Sequence, residues 1–156
     1  MYKRILVPVD GSPISRLALE EAVKLTKDQQ ASLRIVHVVN DWLMVSPDAA
    51  GASTGPAIAA WRAAGQSILD EADTVARRAG VDAQSVLVEE IGEPAGAQII
   101  RQATQWPADL IVCGTHGRRG IRRLLMGSDA EYIVRHSPAP VLLLHSPPEV
   151  EANSPG

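Results

Sequence analysis

Five short strand-like runs alternate with four helix-length segments along the chain. The runs are ILVPV at 5–9, LRIVHVV at 33–39, SVLVEE at 85–90, DLIVCG at 109–114 and PVLLLH at 140–145. The continuous apolar run at 5–9 fits a strand buried on both faces. The segments between them carry helix signals. Ser12-Pro13 reads as an N-cap with proline in the first turn, opening a helix to about Lys27. A second helix is expected from about Ala57 to Ala79, stopped by Gly80. Pro94 opens a third that ends near Trp106-Pro107, and Ser128 starts a fourth that ends before Ser137-Pro138. Strand and helix repeated four times, then a last strand, predict an α/β doubly wound fold: a parallel five-stranded sheet with helices on both faces. Pro8 argues against a central strand unless it marks the strand's end, where pairing stops. The stretch from Asn40 to Pro56 is long for a connection and is expected to be mobile or a lid. One domain over residues 1–146 and a flexible tail over 147–156 follow from the Pro- and Glu-rich end.

Charge narrows the function. The chain of 156 residues has a net charge of −3, yet Arg118, Arg119, Arg122 and Arg123 stand together with no acid between Gly114 and Ser128. The other residues together carry −7, since the −3 of the whole includes these four positive charges. A general nucleic-acid binder is expected to be basic overall and to offer aromatic platforms. Here there is no Phe, and no Trp or Tyr lies in the basic loop. Cys113 is the one cysteine, so neither an intrachain disulfide nor a cysteine metal cluster can form. His37, His116, His136 and His145 show no metal-ligand spacing. The short apolar run of MYKRILVPVD is no signal peptide and nothing reaches membrane-spanning length, so a soluble cytoplasmic protein is expected.

In open α/β sheets ligands bind beyond the carboxyl ends of the strands, where the strand order reverses. Two loops are chemically distinct: DGSP after the first strand and GTHGRRG after the fourth. If those strands are neighbours at the reversal, both loops face one crevice. Glycine lets a ligand approach the main chain, exposed N–H groups form an anion nest, and a helix N-terminus adds free donors. Gly114, Gly117, Gly127 and Ser128 therefore make the parts of a phosphate cradle. It is not a P-loop, because no GK[ST] ending follows.

The spacing G-x-x-G, nine residues, then G-S resembles the ATP-binding motif of the universal stress protein family. VPVDGS at 7–12, IVHVV in the second strand and the closing SPAPVLLL also resemble that family, so the likeness spans Lys3 to His145. The resemblance implies a Rossmann-like fold with strand order 3-2-1-4-5, ATP binding and a homodimer. Carried onto this sequence, it implies that Asp10 lies near the ribose and the metal-phosphate region. Pro8 and Val9 would border the adenine or ribose through their backbones, and Val38 would contact the adenine. His116 would shape or rim the glycine loop. Mg²⁺ would arrive with ATP, held by phosphates and one carboxylate.

Each residue also has a plainer role. Asp10-Gly11 suits a turn, Val38 suits a strand core, and the four arginines suit a solvated loop. Ser128-Asp129-Ala130-Glu131 has the S-x-x-E form of a capping box, in which Ser128 would cap its own helix. Asp129 departs from relatives with a small apolar residue there. Its carboxylate would repel phosphate, so Asp129→Val is expected to tighten ATP binding. No lysine lies in the glycine loop and no base or nucleophile–base pair stands out in the sequence. The expected function is a nucleotide-binding stress or signalling module without fast catalysis. Two alternatives stay open: a slow ATPase or nucleotidyl-transfer enzyme using the same pocket, and a dimeric interaction module with a vestigial pocket. The dimer is expected to form through the last strand, Pro140 to His145, an apolar sheet edge.

Overall fold

The computed structural model describes residues 1–39, 55–90, 92–116 and 126–146. The strands are β1 (Arg4–Pro8), β2 (Ser32–Val38), β3 (Ala83–Val88), β4 (Leu110–Gly114) and β5 (Val141–Leu144). Between them lie α1 (Pro13–Gln29), α2 (Gly55–Arg78), α3 (Ala95–Gln105) and α4 (Ser128–His136). All strand pairs are parallel, in the order β3-β2-β1-β4-β5. This is the expected Rossmann-like doubly wound sheet.

Alternation along the central strands divides the interior into two cores. Ile5, Val7 and Val9 of the first strand segment, with Leu33 and Ile35 of β2, pack beneath Leu19 and Val23 of α1 and Leu69 of α2. Leu6, Val36, Val38 and Ile111 face the other way, against Ile99 of α3 and Ile133 of α4. Ile5, Leu6 and Val7 are fully buried, as a strand covered on both faces requires. Pro8 closes β1 opposite Val36, so its missing N–H falls where the strand ends.

The predicted caps of α1 form. The Ser12 hydroxyl accepts the Ser15 N–H at 3.2 Å and Pro13 occupies the first helical position. Gly80, at φ +78°, turns the chain out of α2, and Val81 N–H donates back to the Ala76 carbonyl at 3.0 Å. Two boundaries differ from expectation. Helix α2 includes Gly55 and Pro56, ahead of the expected Ala57. Strand β3 runs from Ala83 to Val88 and stops before Glu89, whose carboxylate pairs with Arg62 of α2. Most of the predicted long connection, the four loop arginines and the tail at 147–156 lie outside the described residues. Among the described residues no helix is long and apolar enough to cross a membrane.

Candidate nucleotide crevice

The chain leaves β1 towards β2 on one side and returns to β4 on the other, so the order reverses between β1 and β4. The β1–α1 turn is internally braced. Asp10 Oδ1 accepts the Ser12 N–H at 2.8 Å, and Asp10 N–H donates to Ser15 Oγ at 3.3 Å. Gly11 takes φ +81°, which a side chain would resist. Asp10 thus fills its plainer role as a turn residue while standing at the carboxyl end of β1.

Val9 is fixed from both sides. Its N–H donates to the Val36 carbonyl at 2.8 Å, and its carbonyl accepts from His37 Nδ1 at 2.7 Å. A carbonyl only accepts, so the proton on His37 sits at Nδ1 in that bond. The ring is buried and packs on α2, where a Cβ on Gly65 would stand 2.9 Å from His37 Cδ2. The buried link between His37 and Val9 could not be inferred from spacing.

Across the reversal, Gly114 ends β4 against Ile14 of α1. A Cβ there would stand 2.8 Å from Ile14 Cγ1, so the two loops meet through this contact. Thr115 continues past β4, its N–H donating to the Leu144 carbonyl at 3.0 Å. Its carbonyl accepts the Gly127 N–H at 2.7 Å, which returns the start of α4 to the end of β4. His116 stands beside it, with Nδ1 3.0 Å from Thr115 Oγ1. A Cβ on Gly127 would lie 3.3 Å from His116 Cα. Gly114 and Gly127 do not have positive φ, so both are glycine for want of space and not for backbone conformation.

The capping box does not form. Gly127 is the N-cap of α4 and no side chain caps it, while Glu131 pairs with Arg135 at 2.7 Å. The Gly127–Thr115 bond sets the helix entry one residue ahead of the S-x-x-E pattern, which makes Ser128 the first helical residue. The first α4 hydrogen bond runs from Glu131 N–H to the Gly127 carbonyl at 2.9 Å. The N–H groups of Ser128, Asp129 and Ala130 therefore have no acceptor within the helix, as at any helix start. Asp129 turns sideways: its Oδ1 accepts the Gly96 N–H of α3 at 2.9 Å.

The structure thus brings Pro8, Val9 and Asp10 to one side of the reversal and Gly114, His116, Gly127 and Ser128 to the other. Val38 ends β2 and is buried with Val88 and Ile99 on the α3 side. Gly117 lies outside the described residues. Cys113, next to the crevice, is buried, and burial pushes its thiol up to about 12. It is a packing residue and not a nucleophile at neutral pH. Among the described residues no three His, Cys, Asp or Glu side chains are grouped to hold a metal.

The family model for the universal stress protein family matches residues 1–145. The chain belongs to that family. A universal stress protein of Methanocaldococcus jannaschii is 33% identical over 154 residues, covering 94% of this chain and 84% of that one. The solved structure of UspA from Lactobacillus plantarum superposes with a TM-score of 0.78 at 29% identity, covering 92% of this chain and 97% of that one. A universal stress protein solved in complex with cAMP aligns at 27% identity and TM-score 0.66, covering 94% of this chain and 98% of that one.

Proposed function

We propose that this universal stress protein is a nucleotide-binding stress-response module that takes ATP, with Mg²⁺, and acts as a binding and signalling protein without fast catalysis. The observation that carries the reading is the uncapped start of α4, held against the end of β4 at the strand-order reversal. Open helix amides and the positive end of a helix dipole suit phosphate. The related protein solved in complex with cAMP supports nucleotide binding by this chain. In this reading Gly114, Gly117, Gly127 and Ser128 receive the phosphates and His116 rims the loop. Pro8 and Val9 border the base or ribose, and Val38 shapes the base end from the buried side. Asp10 supplies a carboxylate to a nucleotide-bound cation. The donor set fits an anion better than a bare metal, so Mg²⁺ would come with the phosphates.

Asp129 is the feature that most favours the vestigial-pocket alternative; its carboxylate accepts the Gly96 N–H, which directs one oxygen towards α3. Isothermal calorimetry with ATP tests the reading. The wild type is expected to bind, and a folded Gly117→Val/Gly127→Val double variant is expected to lose binding. Unchanged affinity in that variant overturns the assignment.

We further propose a homodimer through β5. This strand forms one edge of the sheet, and Leu142 is 37% exposed there while Val141 and Leu143 pack on the α3–α4 core. An apolar edge invites antiparallel pairing with a second copy about a two-fold axis. A reducing compartment such as the cytoplasm suits its single buried thiol.

A further inference from the structure

We infer that Asp129 is a positioning residue for the phosphate end of the crevice: by accepting the Gly96 N–H it ties the first turn of α4 to the first turn of α3, and so fixes where the open α4 amides point. This inference rests on the nucleotide reading above.

Three observations carry it. Helix α3 begins at Ala95 after Pro94, which offers no side-chain cap, so the Gly96 N–H is one of its orphan donors. Asp129 satisfies that donor from 33 residues away at 2.9 Å. The two helices also touch at this point. A Cβ on Gly96 would stand 3.0 Å from Tyr132 Cβ and 3.1 Å from the Asp129 carbonyl oxygen, so only glycine lets α4 come so close. Finally, α3 is a fixed platform. Gln98, 1% exposed, donates from Nε2 to the Glu90 carbonyl at 3.0 Å and to the Glu93 carbonyl at 2.9 Å. Arg101 pairs with the carboxylates of both residues. By contrast α4 spans nine residues, buries Ala130 and Ile133, and has no side-chain cap of its own.

The sign of the effect separates this role from simple repulsion. A carboxylate in the first turn of a phosphate-binding helix should weaken binding, and on charge alone any neutral replacement tightens it. If Asp129 positions the helix, Asn keeps an oxygen that accepts the Gly96 N–H, whereas Ala loses the tie and lets α4 drift.

The test compares the full-length wild type with Asp129→Asn, Asp129→Ala and Gly96→Ala. ATP affinity is read by calorimetry, and amide hydrogen exchange at Glu131, the first hydrogen-bonded amide of α4, is read by NMR. Asp129→Asn should bind ATP at least as tightly as the wild type. Asp129→Ala and Gly96→Ala should bind about fivefold more weakly. Glu131 should exchange faster in Asp129→Ala than in the wild type and return to protection in Asp129→Asn. Binding by Asp129→Ala as tight as by Asp129→Asn, or unchanged Glu131 protection in Asp129→Ala, overturns the inference. If the wild type binds no ATP, the nucleotide reading fails, and exchange at Glu131 alone decides whether Asp129 holds α4. Should Asp129→Ala not fold, Gly96→Ala carries the same two readouts.

Discussion

Replacing Gly114 by Ala puts one methyl group where the structure has no room for it. The added Cβ would lie 2.8 Å from Ile14 Cγ1, 3.0 Å from Cγ2 and 3.3 Å from Cβ. Carbon atoms prefer about 3.5–4.0 Å, so the first two contacts are far inside the repulsive wall. Ile14 cannot swing aside, because a β-branched residue in a helix is held to one main χ1 rotamer. Either α1 or β4 must shift. Overpacking of this kind costs about 1–3 kcal/mol, and the stiffer unfolded chain of the alanine variant returns about 0.4–1 kcal/mol. Those figures leave a net loss of about 0–2.6 kcal/mol, about 1.3 kcal/mol at their midpoints. Ile14→Ala alone should cost about 2–5 kcal/mol through transfer and cavity terms, since Ile14 is buried. In the double variant the new methyl occupies part of the space that isoleucine vacates, so the two losses should fall short of their sum by about 1–2 kcal/mol. Urea unfolding followed by circular dichroism on all four proteins completes the cycle. Additivity within about 0.5 kcal/mol would refute the packing argument and return Gly114 to a purely ligand-facing role.

Three further outcomes follow. Leu142→Lys should shift a dimer towards monomer in light scattering with little change in melting, whereas Leu143→Lys should unfold the chain, because Leu143 packs on the α3–α4 core; a wild-type monomer at tens of micromolar defeats the dimer. Cys113 should resist a thiol-exchange reagent at pH 8 in the native protein and react at once in urea. Its native pKa is raised from 9.0 to about 12, so its contribution to stability is complete below pH 9 and is lost as pH rises towards 12; native labelling as fast as in urea contradicts its burial. His37→Leu should cost about 1–3 kcal/mol in chemical denaturation by stranding the Val9 carbonyl, and His37→Asn should recover part of it by donating from its amide; equal losses in the two variants would assign the effect to ring packing alone.

The continuous apolar runs and the Ser12-Pro13, Gly80 and Pro94 signals made the element order legible, because each acts within a few residues of chain. The strand order came from resemblance, since local pattern does not say which strands pair. What the sequence hid was contact between distant segments. The S-x-x-E pattern at Ser128 is real, but Gly127 takes the cap because its N–H is claimed by Thr115, a tertiary bond. The sequence shows Asp129 only beside its chain neighbours; its hydrogen-bond partner is Gly96, on another helix. His37 looked like one more strand residue until the Val9 carbonyl and Gly65 were beside it.

Gly65 and Gly96 lie inside helices α2 and α3, the places where a protein engineer would first write alanine to raise a melting temperature. In this chain that recipe inverts. The His37 ring presses on Gly65, and the Tyr132 Cβ and Asp129 backbone press on Gly96, so the entropy saved in the unfolded chain is outweighed by collision in the native one. Drift in such a lineage should accumulate on the charged outer faces of α1 and α2 and leave these two helical glycines unchanged. A shuffled library selected only for heat resistance should recover them as glycine despite their poor helix propensity.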